Sequence, residues 1–504
     1  MKKHPLICLL LTLSLLLSAS ACSAPIAPEA PTPEQPTQQA PAEEAEKPPF
    51  TLAFYENYSL HPALADNRAN LSLSPLLYEG LFALDASFEA VPVLCREYSV
   101  SQNGLTWTFA LQEGVTFSDG TPLTGSVAAK ALKTALGKDS RYAGRIPELR
   151  GISGKDQTVT VTLTRPNGTL PALLDIPLAL DDSERPLGTG AYVLCEENGR
   201  FSLTARADWW QEKALPFQSI LLSGIQQTDD LIAAFDSGAV TLLDADLTGT
   251  NALGYSGNYE VWDYNTTQFL YLGFNTASGF CKDPQVRQAI SRGIDRDSLT
   301  SVSYARHAQS ANLPIHPANR YYSKSLSLQA AYDPQVLVNL LGRTAAPKTP
   351  LRLLVNSENN AKVSAAEHIA YQLGAEGLQV TVEKLPWSDY LTALQNGAFD
   401  LYLGEVLLTA DFDLTALLSS SGALNYGLWQ DAQTDLLLSQ LRAADDNARL
   451  AASRALYSYL NQTVPIAPLS FKNGSVLTQW GRLTGLSPCQ NNIFSALENW
   501  QLDF

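Results

Sequence analysis

Between Leu77 and Thr124 the chain sets turn signals against short alternating runs. The centre of this block, Gly104 to Leu111, alternates polar and apolar residues directly after Asn103-Gly104. That is the pattern of a half-buried strand leaving a hairpin. A second turn follows at Glu113-Gly114, then the short run Val115-Thr116-Phe117, then a tight turn through Ser118-Asp119-Gly120-Thr121-Pro122. From Val127 to Leu136 apolar residues recur at helical spacing, with Thr124 or Ser126 as the cap. Thr158 to Leu163 alternates again as a strand.

Later in the chain the periodicity changes. Leu351–Val355, Leu378–Val382 and Phe399–Leu403 read as strands, and Val363–Leu373 and Tyr390–Leu394 between them read as helices. Such alternation implies an α/β domain with a largely parallel sheet. A chain of 504 residues is too long for one hydrophobic core, so two or three domains are expected. The net charge of -16, with no basic run beyond the extreme N-terminus, argues against a nucleic-acid partner.

Enzyme chemistry finds little support. His61, His307, His316 and His368 are dispersed, and neither G-x-S-x-G nor H-E-x-x-H occurs. No metal site and no cofactor are expected. Pro186-Leu187-Gly188-Thr189-Gly190 lacks the strand–loop–helix context of a phosphate loop, and its glycines suit a sharp bend between domains. Cys95, Cys195, Cys281 and Cys489 are far apart; one or two disulfides and four buried thiols are both open readings.

The N-terminus reads as a targeting signal. Lys2-Lys3 precede an apolar run from Leu6 to Leu17, too short to span a bilayer comfortably, and Ser18-Ala19-Ser20-Ala21-Cys22 follows. Small residues before a cysteine resemble a bacterial lipobox, with Ala19 where Leu is usual; Ala19-Ser20-Ala21 also fits an ordinary secretory cleavage site. Residues 1–22 are therefore expected to be a lipoprotein signal peptide ending at the lipidated Cys22. Residues 23–49, rich in Pro, Ala, Glu and Gln, are expected to be a disordered, extended tether.

The order of the pieces in the Leu77–Thr124 block resembles the signature of the family 5 solute-binding proteins of ABC importers. Leu94-Cys95-Arg96-Glu97-Tyr98 stands where the family reads "LAesW", and Val115 to Pro122 where it reads "vkFhDGtp". Pro186 to Leu194 resembles "PiGTGPYkl". Phe269–Thr276 and Asp283–Arg296 resemble "lgfNt" and "DprvRqAinyAiDR", and Val464–Leu469 resembles "PviPly". The turn at Thr124-Gly125-Ser126-Val127 is one residue shorter than the family's and lacks its acid.

The resemblance implies an α/β, two-lobed, type II periplasmic-binding-protein-like fold with an additional small α+β domain. Lobe I would comprise 50–76, 186–268 and 476–504, the extra domain 77–185, and lobe II 269–475. It implies a non-enzymatic, monomeric protein that captures oligopeptides between its lobes and passes them to an ABC permease and ATPase. The place would be the outer face of the bacterial membrane, through the lipid anchor, or the periplasm. Nickel chelates, haem, oligosaccharides or a peptide-sensing receptor role are the alternatives. Ala410-Asp411-Phe412-Asp413 aligns with the family motif whose Asp holds the peptide ammonium; Asp411 or Asp413 also suits a helix cap. Asn425 and Tyr426 match a loop bordering the cleft. Trp387 and Trp429 suit either an apolar pocket wall or core packing. Tyr271 and Asn275 lie on the strand entering lobe II, and Glu405 lies where α/β sheets place their ligand loops.

Overall fold

The computed structural model describes residues 49–344 and 346–502. The expected signal peptide, Cys22 and all but the last residue of the tether lie outside the described residues. Two long antiparallel strands, Tyr259–Phe274 and Ile466–Gln479, run through the centre of an eleven-stranded sheet. Phe269 to Phe274 is buried without interruption. A run of that kind needs a layer on each face of its sheet.

On one side of this pair the sheet belongs to lobe II. Leu401–Leu407 joins antiparallel to Gln268–Phe274, and Leu351–Asn356 and Val380–Leu385 extend it in parallel. The helices Pro284–Arg292 and Asn360–Ala375 contribute Ile290 and Ile369 to the core beneath it. Asp283 caps the first, accepting from the Gln285 amide at 2.8 Å, with Pro284 in the opening position. On the other side lies lobe I. Leu242–Ala245 pairs with Ser475–Thr478, Thr51–Phe54 pairs in parallel with it and with Ser219–Gly224, and Arg200–Ala205 and Tyr192–Glu197 close the edge. The crossing strands lose register between Asn265 and Gln268 and again between Leu270 and Tyr271. Irregularities of this kind bend a strand and interrupt its ladder, so the change of lobe falls where the sheet is most pliable.

Three tyrosines lie flat on cross-strand glycines in this region. Tyr264 covers Gly474, Tyr271 covers Gly404, and Tyr402 covers Gly273. A Cβ on any of these glycines would overlap the facing ring. The ring surface thus replaces the side chain that the glycine lacks.

The opening block forms a separate four-stranded antiparallel sheet. Its strands are Cys95–Val100, Thr106–Leu111, Thr158–Leu163 and Leu149–Lys155 in spatial order. Thr106–Leu111 alternates half-buried and buried as its sequence predicts. The helix Gly125–Ala135, capped by Thr124, packs on this sheet around Phe109, Leu132 and Val159. The chain bends at Thr189-Gly190, directly before the strand Tyr192–Glu197. Neither Gly188 nor Gly190 has a positive φ; each lies against the Leu76–Leu77 backbone, where a Cβ would collide with carbonyl oxygens. Cys95, Cys195, Cys281 and Cys489 are all free thiols.

His316 is sealed in the lobe II core. Its ring lies between Phe88 and Phe471, at 5.2 Å from each. Nδ1 accepts from the Ala318 amide at 3.0 Å, and Nε2 has no hydrogen-bond partner. Burial pushes its pKa down to about 4. The unfolded chain then binds one more proton than the folded one between pH 4 and about 6.5, so stability is full above 6.5 and falls as pH drops towards 4. The loss expected from this group is roughly 2–4 kcal/mol. Urea unfolding of wild type and His316→Phe at pH 7 and pH 4.5 tests this. The wild type should lose more stability than the variant, and equal losses would refute it.

Candidate functional site

A cavity of about 420 Å³ opens where the crossing strands pass from lobe I to lobe II, bounded by Tyr264, Gln268 and Lys472 on those strands. From lobe I, Arg68 enters on the short helix Arg68–Ser72. Its fork grips Asp244 at the end of Leu242–Ala245, with Nε to Oδ2 and Nη2 to Oδ1 both at 2.9 Å. The Tyr264 hydroxyl donates to the same carboxylate at 2.8 Å. Two residues on, Asp246 leaves the strand and accepts from the Thr248 amide at 3.1 Å through Oδ1.

Lys472 lies between the lobes. Its Nζ is 3.2 Å from Glu405 Oε1 in lobe II and 3.7 Å from Asp246 Oδ1 in lobe I, with only 4% of its side chain exposed. Gln268 Nε2 donates to the same Glu405 oxygen at 2.7 Å. Asn359, which caps the helix Asn360–Ala375, reaches across to the Thr248 carbonyl at 3.4 Å. The cavity thus carries charges of both signs, from lobe I and from a strand that both lobes share, with Glu405 of lobe II behind Lys472. Mixed charge at short range suits a ligand that is itself zwitterionic.

The candidate residues from sequence fall in several places. Glu405 joins this cluster. Tyr271 is buried over Gly404 against Tyr402. Asn275 spends its amide on the Gly397 and Phe399 carbonyls at 3.2 Å. Asn425 clamps its own loop, donating to the Ser419 and Trp429 carbonyls and accepting from the Trp429 amide. Tyr426 is half-buried, edge-on to Tyr402. Trp429 donates to the Thr434 hydroxyl at 3.0 Å beneath the Arg287 guanidinium. Trp387 is exposed, with its ring beside Tyr390.

Asp411 lies elsewhere, at the wall of a second cavity of about 200 Å³ where the small domain meets lobe II. Thr169 of the small-domain segment donates to its Oδ2 at 2.9 Å, and Thr409 to its Oδ1. Burial opposes its charge, but Arg442 and Arg449 outweigh that and hold the carboxyl below its ordinary pKa. Asp413 accepts from the Thr415 amide at 3.1 Å, but Leu414 holds the cap position of Thr415–Leu418 and no side chain caps it, so neither Asp411 nor Asp413 is the helix cap that the sequence offered as an alternative. Arg442 ties the junction together: Nε is 2.6 Å from Glu148 Oε1, Nη2 donates to Oε2 at 2.8 Å, and Nη1 is 2.6 Å from Asp413.

Sequence reasoning missed Arg68, Asp246, Tyr264 and Lys472 as site residues. Two signals were present. An acid at the carboxyl end of a buried strand marks a ligand edge, and Asp244 and Asp246 sit there. A lysine inside the otherwise buried run Ile466–Phe471 and Gly474–Thr478 needs a partner, and Lys472 has two.

The model of the bacterial extracellular solute-binding proteins, family 5 Middle, matches residues 89–425. The chain is 24% identical over 444 residues to a glutathione-binding protein, GsiB, of Shigella flexneri, covering 82% of this chain and 86% of the relative. It superposes on the ABC transporter substrate-binding protein CtaP of Listeria monocytogenes with a TM-score of 0.73 at 18% identity, over 90% of this chain and 99% of that one. NikA of Brucella suis, in complex with Fe(III)-EDTA, gives 0.71 at 19% identity, over 91% and 100%. The fold is that of the type II periplasmic binding proteins.

Glu148 has a side chain 1% exposed and Arg442 one 10% exposed. Removing the acid leaves Arg442 with Asp413 but takes away its charge-assisted bonds at a sealed junction. Glu148→Ala should cost about 1.5–3 kcal/mol. The exposed Glu97→Ala should cost nothing measurable by comparison. Equal denaturation midpoints for the two variants would refute the junction's role.

Proposed function

We propose that this chain, which belongs to the family 5 bacterial extracellular solute-binding proteins, is the substrate-binding component of an ABC importer and that its ligand is a peptide. The observation that carries this reading is the interlobe cavity with Arg68 and Lys472 set against Asp244 and Asp246, Glu405 lying behind Lys472. A peptide brings one positive end, one negative end and a backbone of donors and acceptors, and each finds a counterpart there. The similarity to a glutathione-binding protein supports it, since glutathione is a modified tripeptide. Closure would rotate the lobes about the crossing strands and enclose the ligand, with the Asn359 amide on the Thr248 carbonyl latching the two lobes together.

The ammonium has two carboxylates to meet. Asp411, the anchor implied by the family motif, is reached through the second cavity and already has Arg442 and Arg449 beside it. Asp246 has a side chain 39% exposed and faces Lys472 only at 3.7 Å. It is the stronger of the two anchors. A metal chelate, as bound by NikA, is the second reading, favoured by the cationic groups of the same cavity. Asp246 and Glu405 would repel a polyanion, and peptide is preferred on that ground.

The acyl anchor at Cys22 and the tether 23–49 would hold the domain at the outer face of the membrane, within reach of a permease and its ATPase. No helix among the described residues is long and apolar enough to cross a membrane. The protein is taken to work as a monomer.

Mass spectrometry of the small molecules released on denaturing purified protein is the direct test. Short peptides are expected; a chelate, haem or saccharide would overturn the peptide reading. With a peptide in hand, Asp246→Asn should weaken binding by roughly 10-fold or more in calorimetry, because a charge-assisted contact is lost.

A further inference from the structure

His307 stands on lobe II and reaches across the first irregularity of the crossing strands. It follows the helix Arg296–Ser303, and the short strand Ala308–Ser310 directly after it pairs with residues 470–472. Its Nδ1 lies 2.9 Å from Asp263 Oδ2 and 3.1 Å from Oδ1. Asp263 belongs to the other side of the irregularity. It stands opposite Ser475, whose hydroxyl donates to Oδ1 at 2.7 Å, and the ladder breaks only after Asn265. A bend between Asn265 and Gln268 therefore carries Asp263 along with Ser475 and away from His307.

The place of the imidazole is built into the backbone. Ala305 and Arg306, the two residues before it, both have positive φ, 47° and 70°, a region that side-chain-bearing residues rarely adopt and that only firm surroundings maintain. Here the turn is pinned on each side. The Arg306 amide donates to the Thr300 carbonyl at 3.2 Å, the His307 amide to the Tyr304 carbonyl at 2.7 Å, and the His307 carbonyl accepts from the Asn473 amide at 3.0 Å.

Asp263 is the titratable group that faces the ring. From the strand Ile466–Gln479 the facing side chains are Asn473 and Ser475, which donate to Asp263 and do not titrate. Lys472 on that strand is turned to Glu405 and Asp246, and Asp297, on the preceding helix, accepts from Ser310. The His307 and Asp263 side chains are 24% and 29% exposed, so the ring exchanges protons with water.

We propose that the His307–Asp263 pair is a proton-operated staple across the hinge: with the imidazole charged it favours the closed arrangement of the lobes, and with the imidazole neutral it lets them part. The pair is made while the Asn359 amide of lobe II rests on the Thr248 carbonyl of lobe I. The hydrogen bond to Asp263, and then its charge, raise the ring above its ordinary pKa of 6.5. Opening takes the carboxylate away and returns the ring towards that ordinary value. The staple is thus fully present below about pH 6.5 and is lost as pH rises through the raised value. Closure, and any affinity that depends on it, is strongest on the acid side. The inference needs lobes that move but no particular ligand.

Cysteines at positions 248 and 359 report closure, because they cross-link oxidatively only while the lobes meet. Thr248→Cys with Asn359→Cys is placed in otherwise wild-type, His307→Gln and Asp263→Asn backgrounds. The ligand-free proteins are oxidised at pH 5.5 and at pH 9, and the linked fragment is followed by mass spectrometry. Dividing each rate by that of the His307→Gln background at the same pH removes the ordinary pH dependence of thiols. For wild-type His307 and Asp263 this ratio should be roughly 2- to 5-fold at pH 5.5 and about 1 at pH 9, and for Asp263→Asn about 1 at both. Equal wild-type ratios at the two pH values would overturn the staple. An Asp263→Asn protein that keeps the wild-type pH dependence would do the same. Absence of the cross-link in every background would overturn the closing movement along with it.

Discussion

Everything that joins the two lobes depends on the pairing of Tyr259–Phe274 with Ile466–Gln479. The two strands are the only long elements shared by both halves of the large sheet among the described residues. Their ladder is regular from Tyr259 to Asn265 and irregular between Asn265 and Gln268 and again between Leu270 and Tyr271, close to the change of lobe. A backbone hydrogen bond buried in a sheet is expensive to leave unmade, so a regular ladder resists bending along its length. Irregularity concentrates compliance at the boundary. The lobes can then behave as rigid bodies, with the charged groups of the cleft set around the compliant point.

Local patterns were legible because they need no distant partner. The alternation of Thr106 to Leu111, the cap and proline at Asp283-Pro284, and the strand–helix alternation after Leu351 each appear where periodicity and cap chemistry place them. The family resemblance rested on the order of such local strings, which is why it held. Gly188 and Gly190 show the limit of that reasoning. A glycine beside a proline suggests a bend, and the chain does bend there, but both glycines also make room for the Leu76–Leu77 backbone, a contact more than a hundred residues away in sequence.

The site was less legible for the same physical reason. Lys472, Glu405 and Asp246 come from three distant stretches and acquire meaning only when the sheet brings them within 4 Å. Asn275 and Asn425 illustrate the converse. A polar residue in a loop near a cleft can be fully committed to its own backbone, and only geometry reveals that both amides are already engaged. Asp411 lies between these cases. Its motif is local, but its surroundings, Thr169, Arg442 and Arg449, come from the small domain and two helices. They make the carboxylate a structural joint at the wall of that cavity.

The tyrosines lying on glycines carry a mechanical consequence. A strand free to slip by two residues would keep its apolar faces and lose little burial. Here such a slip would drive a side chain into the place reserved for a ring at Gly273, Gly404 or Gly474. The rings act as pegs in notches: Tyr264 on Gly474 fixes the register of the two crossing strands, and the other two fix Leu401–Leu407 against Tyr259–Phe274. The residues that face the cavity from these strands are thereby held at fixed opposing positions.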